Sequence, residues 1–154
     1  MELHEWLRFV HILGAIIWVG SSIVLNAVVT RANRRADSSA AVRLSRDVDW
    51  VGPWLIGPSA AVVIGLGIWL VVLEEEWAFS QAWIVLSLVL VGVSMILGIG
   101  YFGPEGKRIS RMADERGAED PEVRRRMGRL LGFSQVDVLI LLVVLWLMVF
   151  KPGA

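Results

Sequence analysis

The sequence predicts an all-α fold, an integral membrane bundle of four antiparallel spanning helices, and three observations predict it. Apolar residues make up 56% of the 154 residues, and the mean hydropathy is +0.64, which leaves too little polar surface for a soluble domain of this size. Four apolar segments, at about residues 7–29, 54–73, 82–102 and 131–150, each approach the ~20 residues that a spanning helix needs. The charges sum to zero but are segregated along the chain. The linkers after the first and third segments hold Arg31, Arg34, Arg35, Arg43 and Arg46, then Lys107, Arg108, Arg111, Arg116, Arg124, Arg125, Arg126 and Arg129. The hairpin between the second and third segments carries Glu74, Glu75 and Glu76 and no basic residue. By the positive-inside rule the basic linkers are cytoplasmic, and both termini are extracytoplasmic. One transmembrane domain is expected over residues 1–154, with nothing left for a separate soluble unit.

The first segment, LHEWLRFVHILGAIIWVGSSIVLNAVVTRANR, sets one imidazole inside an apolar run. From Leu7 to Val29 it spans ~33 Å at helical rise, against a hydrocarbon core of ~30 Å. One face carries Leu7, His11, Gly14, Ala15, Trp18, Ser21, Ser22 and Leu25 and is expected to meet other helices. The other face carries Phe9, Ile12, Ile16, Ile23 and Val24 and is expected to meet lipid. The run is too long for a signal peptide, lacks a basic leader and has no small-x-small cleavage site, so it is expected to stay as an anchor. Thr30 to Ala36 contains no helix breaker, which carries the helix beyond the membrane.

Asp37 and Ser38 read as a helix restart, and AAVRLSRDVDW as a short interfacial helix beneath the bundle. The second segment is expected to open at Pro53 and Trp54, with Pro58 loosening its start because proline has no amide hydrogen. Gly57, Ala61 and Gly65, at four-residue spacing, form a small-residue seam that predicts close approach of another helix. The third segment places Ser87, Ser94, Met95 and Gly98 on one face and is expected to end at Gly103 and Pro104, with a polar extension stopping at Gly117. Asp120, Pro121 and Glu122 signal a new helix: an acidic cap, proline in the first turn, and a glutamate four residues before Arg126. That helix is expected to run to Phe150, ~45 Å at helical rise. No repeat or low-complexity tract stands out. Trp6, Trp54, Trp77, Trp83 and Trp146 fall near the expected membrane boundaries, where amphipathic rings are favoured.

Absence of cysteine excludes disulfides, thiolate metal sites and C-x-x-C-H haem attachment. Ionisable groups in hydrocarbon are costly, so His11 and Asp137 are the primary site candidates. For His11 the readings are a hydrogen-bonded structural residue, an axial haem ligand, a copper ligand or a proton relay. His4 lies seven residues away, ~10.5 Å along the axis, too far to share one metal ion within the chain. Asp137 is expected ~9 Å deep from the basic side, level with Asn26 and Gln135 and away from His11. It reads either as a hydrogen-bonded carboxyl setting helix register or as an intramembrane proton or cation site, with Asn26 and Gln135 as neighbours. Met95 and Met148 read as apolar filler. The arginine runs are accounted for by topology, so no nucleic-acid partner is called for.

The string HILGAIIWVGS, with His11, Gly14, Trp18 and Gly20, resembles the first membrane helix of the copper-resistance-D (CopD)-like superfamily. That group is similar to several bacterial four-helix families of unknown function and to the HemJ-type protoporphyrinogen oxidases. The ending LMVFKPG, Leu147 to Gly153, looks like the close of one uncharacterised family in the group. The resemblance implies a multi-pass protein of the bacterial inner membrane with His11 as a ligand to haem b, and copper as the alternative metal. Gly14, Trp18 and Ser87 would then shape the pocket. HemJ-type proteins also need a lysine in a membrane helix, whereas Lys107 here follows Pro104; no Met-x-x-Met or paired-histidine array accompanies His11. No reaction is assigned. The leading expectation is a haem- or metal-binding membrane protein. The alternatives are a non-catalytic scaffold or accessory subunit, associating with other subunits or as a homo-oligomer through small-residue faces, and a proton-coupled transporter using Asp137.

Overall fold

The structure, a computed structural model, describes residues 3–35 and 37–153. The chain forms α1 (Leu3–Arg34), α2 (Ser38–Val51), a π-helical turn (Gly52–Ile56), α3 (Gly57–Leu73), α4 (Ala82–Leu97), a second π-helical turn (Gly98–Phe102), α5 (Gly103–Arg116) and α6 (Pro121–Phe150). No strand occurs among the described residues. Helix is continuous through each π turn, so four helical stretches are long and apolar enough to cross a membrane: Leu3–Arg34, Ser38–Leu73, Ala82–Arg116 and Pro121–Phe150.

The local signals account for most of these ends. Asp37 caps α2, its side chain accepting from the Ala40 amide. Asp120 caps α6 in the same way, accepting from the Glu122 amide at 2.8 Å, and Glu122 pairs one turn on with Arg126. Gly117 ends α5 at φ +88°, a conformation that a β-carbon would strain. The expected continuation of the first helix to Ala36 falls, at that residue, outside those described.

Two expected boundaries are not boundaries. The second span does not open at Pro53 and Trp54, and the third does not end at Gly103 and Pro104, because a π turn carries the helix through both sites. The amide of Gly57 donates to the Gly52 carbonyl, and that of Gly103 to the Gly98 carbonyl, five residues back in each case. The proline that follows, Pro58 or Pro104, then stands where its missing amide is tolerated. The sequences are GPWLIGP and GIGYFGP, a Gly-x4-Gly-Pro recurrence that the sequence reading passes over.

Along the spans the pattern of a soluble protein is inverted. Ile16 is 63%, Ile96 73% and Val149 72% exposed, as residues facing acyl chains would be. Phe9, Ile12, Ile23 and Val24 are likewise exposed, while Gly14 and Trp18 are buried, so the two faces expected of α1 are found. α3 packs chiefly on α1 and α4 chiefly on α6, whereas α3 and α4 barely touch. His4, at the start of α1, pairs at 2.8 Å with Glu74, just past the end of α3, whereas Gly14, further along α1, lies against Ser59 and Val63 in the first half of α3. The start of α1 thus lies with the glutamate hairpin, where the Lys151 ammonium also sits 4.3 Å above the Trp77 ring.

Three cores result among the described residues, the smallest made by Trp83, Ile84 and Leu147 near the glutamate hairpin. Trp18, Val19, Ala60, Val63, Val91, Leu141 and Val144 hold the middle of the spans together. At the arginine-rich end, Val29, Ala41, Val42, Ile109, Val123, Met127 and Leu131 form a second core. α2 and α5 therefore do more than lie beneath the bundle: their apolar stripes close on each other and on α6, leaving Ile109 fully buried. A burial of that size is worth ~1.5–3 kcal/mol. The Glu105–Arg126 pair at 2.6 Å fastens α5 to α6 alongside it.

Candidate functional site

Between the mid-span core and the core at the arginine-rich end lies a cavity of about 760 Å³. Its position follows from the helix packing, because α1 and α6 form its floor while α3 and α4, which scarcely meet, stand on either side. Both π turns border it, through Gly52, Pro53 and Ile56 on one side and Gly98, Ile99 and Phe102 on the other. Pro53, Gly98 and Ile99 are exposed, so the cavity opens at the surface between the two turns. A π turn adds a residue to the helical circuit and displaces the wall locally, a distortion that recurs at functional sites.

The walls are mostly apolar, with polar groups at two levels. The deeper group comprises Asn26, Ser94, Ser134 and Asp137. Asn26 donates through its amide to the Ser134 hydroxyl at 2.8 Å, tying α1 to α6, and accepts from Thr30. Asp137 lies beside Ser94, and its buried Oδ1 finds no hydrogen-bond partner among the described residues. A buried polar atom without a partner is costly, and here it belongs to a residue that lines the cavity. The second group, at the arginine-rich mouth, comprises Asp49, Lys107 and Arg111. These three also line a shallow pocket of about 420 Å³ with Arg46 and Ser110. Burial pushes the Asp49 carboxyl above its ordinary range, and the Lys107 ammonium partly offsets that. Arg46 is engaged with Asp114 and with the Ser110 carbonyl. Among the described residues no ion pair or side-chain hydrogen bond holds Lys107 or Arg111.

Of the candidates read from sequence, Asn26 and Asp137 share this cavity, and Trp18 closes its inner end. Gln135 is exposed and does not line it. Ser94 and Ser134 complete the polar group; Ser134, three residues before Asp137, offers no signal that separates it from a helix-packing serine. His11 lies elsewhere, against α3, where a β-carbon on Gly67 would come within 3.0 Å of its Cε1. Its Nδ1 is buried without a partner meeting hydrogen-bond geometry, though it faces the Val63 carbonyl. His11 does not line the cavity that Asp137 lines. Ser87 is buried on the α4 face that packs on α6 and does not line the cavity.

These positions do not fit a haem between His11, Gly14, Trp18 and Ser87. The space beside Gly14 is taken by Val63, which would stand 3.0 Å from a β-carbon there, and the imidazole edge fills the gap at Gly67. For a metal ion, no group of three or more His, Cys, Asp or Glu side chains converges among the described residues. The second-helix seam also differs from expectation. Gly57, Ala61 and Gly65 are exposed, and a β-carbon on Gly65 would meet nothing within 4 Å. The close approach to α1 is made instead by Ser59, Val63 and Gly67, because α3 presents that neighbouring stripe inward.

No curated protein and no solved structure matches the chain. The family described as predicted integral membrane protein (DUF2269) matches residues 5–152, and the chain belongs to it.

Proposed function

We propose that this DUF2269 member is a membrane protein that takes an elongated, largely apolar molecule from the bilayer into the cavity between α3 and α4, without itself being assigned a reaction. The observation that carries the reading is the polar group of Asn26, Ser94, Ser134 and Asp137 set in the wall of an otherwise mostly apolar cavity. A bound molecule with a hydrogen-bond donor would pair with the Asp137 carboxyl, and Asn26, Ser94 and Ser134 would fix its position. The shape supports the reading as well: the site is concave, mostly apolar, open between two distorted helix turns, and furnished with few polar groups.

The four spans are taken as antiparallel, with the arginine-rich linkers in the cytoplasm of a bacterial cell and both termini outside, on the strength of the charge asymmetry. In that orientation the cavity belongs to the inner leaflet. Haem b or copper at His11 rests on the CopD-like resemblance and would require α1 to separate from α3. The cavity is therefore the better supported site. Association into a homo-oligomer through the exposed Gly57, Ala61 and Gly65 stripe is compatible with this function and independent of it.

The test is native mass spectrometry of the protein released from mild detergent, with solvent extraction of whatever co-purifies. A stoichiometric adduct is expected on the wild type, weakened in Asp137→Leu and absent in Gly98→Trp, which fills the space open beside Gly98. Wild-type protein that stays free of adduct after incubation with a total membrane lipid extract would sink the reading. A visible spectrum on the same sample, beside His11→Ala, decides the haem alternative.

A further inference from the structure

The cavity and the shallow pocket at its mouth share Asp49, Lys107 and Arg111, so the two concavities adjoin. One is long and apolar, and the other is small and cationic. Arg46 is committed to Asp114, and Asp49 offsets one positive charge, which leaves Lys107 and Arg111 as two cations, one opposed by Asp49, on the edge of a concave surface. Positive-inside topology accounts for arginines anywhere in these linkers. It does not account for two cations that no ion pair holds among the described residues, meeting where the long apolar cavity adjoins the shallow pocket.

We infer that the two pockets are the tail and head portions of a single site, and that its ligand is an amphiphile with an anionic, phosphate-type headgroup supplied by a membrane lipid. Lys107 and Arg111 meet the headgroup, and the Ser110 hydroxyl stands in the same pocket as a further donor. The chain of the ligand runs between the π turns toward Trp18 and Asp137. From Lys107 back to Ser94 is thirteen residues of nearly continuous helix, ~20 Å at helical rise, long enough for the apolar part of a lipid. Charge-assisted hydrogen bonds from lysine and arginine to phosphate oxygens are the strong contacts at such a mouth. Asp49, which lines both concavities and interacts electrostatically with Lys107, acts against them.

This inference rests on the ligand-binding reading above, and its test separates the two. Delipidated protein is titrated with phosphatidylglycerol, phosphatidylcholine of the same chains, and inorganic phosphate alone, with native mass spectrometry or tryptophan fluorescence as the readout. Two double variants carry the same change in charge: Lys107→Gln with Arg111→Gln, and, as a control on exposed cations outside both pockets, Arg43→Gln with Arg108→Gln. The wild type is expected to prefer the anionic lipid by on the order of tenfold. That preference is expected to vanish in the first variant and persist in the second, with inorganic phosphate at equal concentration failing to compete. Equal binding of both lipids to the wild type overturns the headgroup assignment and leaves the cavity reading standing. Equal loss in both variants overturns it in favour of general surface charge, and competition by free phosphate overturns the lipid as its source. Binding of neither lipid removes the cavity reading itself. Matched thermal unfolding of the variants excludes misfolding as the cause.

Discussion

The imidazole of His11 occupies the space that a β-carbon would take at Gly67: such a carbon would lie 3.0 Å from Cε1 and 3.5 Å from Nδ1. The contact joins α1 to α3 at the depth where the chain places its one membrane-level histidine. It makes His11 a packing element whatever else it does, and glycine the only residue that accommodates it without a shift.

Gly67→Ala is therefore expected to destabilise the protein by about 1–3 kcal/mol through overpacking. Adding His11→Ala vacates the contact, so the double variant is expected to lose less than the sum of the singles. Thermal unfolding in detergent, followed by tryptophan fluorescence, measures both; strict additivity would show that the two residues do not share a space.

A tighter version of the same arrangement holds α2 to α5. A β-carbon at Gly106 would stand 2.7 Å and 2.9 Å from the two Asp49 carboxylate oxygens. Gly106→Ala is expected to displace the Asp49 carboxylate, the movable end of its side chain, from the cavity mouth, a cost offset by the gain in helix propensity of about 1 kcal/mol. In an Asp49→Ala background the same change is expected to show that gain undiminished. Equal effects of Gly106→Ala in the two backgrounds, read by thermal unfolding, would contradict the contact.

Acid is expected to loosen the start of α6. Hydrogen bonding from Arg125, reinforced by Arg126, holds the Glu122 carboxyl below its ordinary value of 4.5. A depressed carboxyl contributes stability above its unfolded value and loses it as pH falls through the lowered one. The stability gap between wild type and Glu122→Gln should therefore be present at neutral pH and close below about pH 4.5. The effect is modest, since Arg125 is well exposed and screened. A gap independent of pH would exclude the ion pairs as its cause.

Absence of cysteine makes the topology directly measurable. Glu75→Cys and Arg43→Cys each place a single exposed thiol, at opposite ends of the bundle. A membrane-impermeant maleimide is expected to label Glu75→Cys in intact cells and Arg43→Cys only after lysis. The reverse pattern would invert the orientation and place the cavity in the other leaflet.

Four helices long and apolar enough to cross a membrane, the exposed apolar side of α1, the caps at Asp37 and Asp120 and the stop at Gly117 were legible in the sequence. Each depends on residues close together in the chain: a run of apolar side chains, a carboxylate beside free amides, a glycine where φ is positive. Asp137 and Asn26 were legible as site candidates for a related reason, since polar groups among apolar ones stand out by contrast. Their meeting in one cavity with Ser94 and Ser134, and the separation of His11 from it, were not legible. Periodicity names the faces of a helix but not the neighbour that each face meets.

The amino-acid order by itself determined that this chain lives in a membrane, how many times it can cross, and where its charges gather, because hydropathy and charge act through local solvation. The tertiary structure decided which small-residue stripe of α3 faces α1, that helix continues through Pro58 and Pro104, and that α3 and α4 stand apart over a cavity. Those outcomes depend on competition among packing arrangements of similar hydropathy. A Gly-x4-Gly-Pro segment can end a helix or widen it into a π turn, and only the neighbouring helices, by supplying or withholding contacts, select between the two.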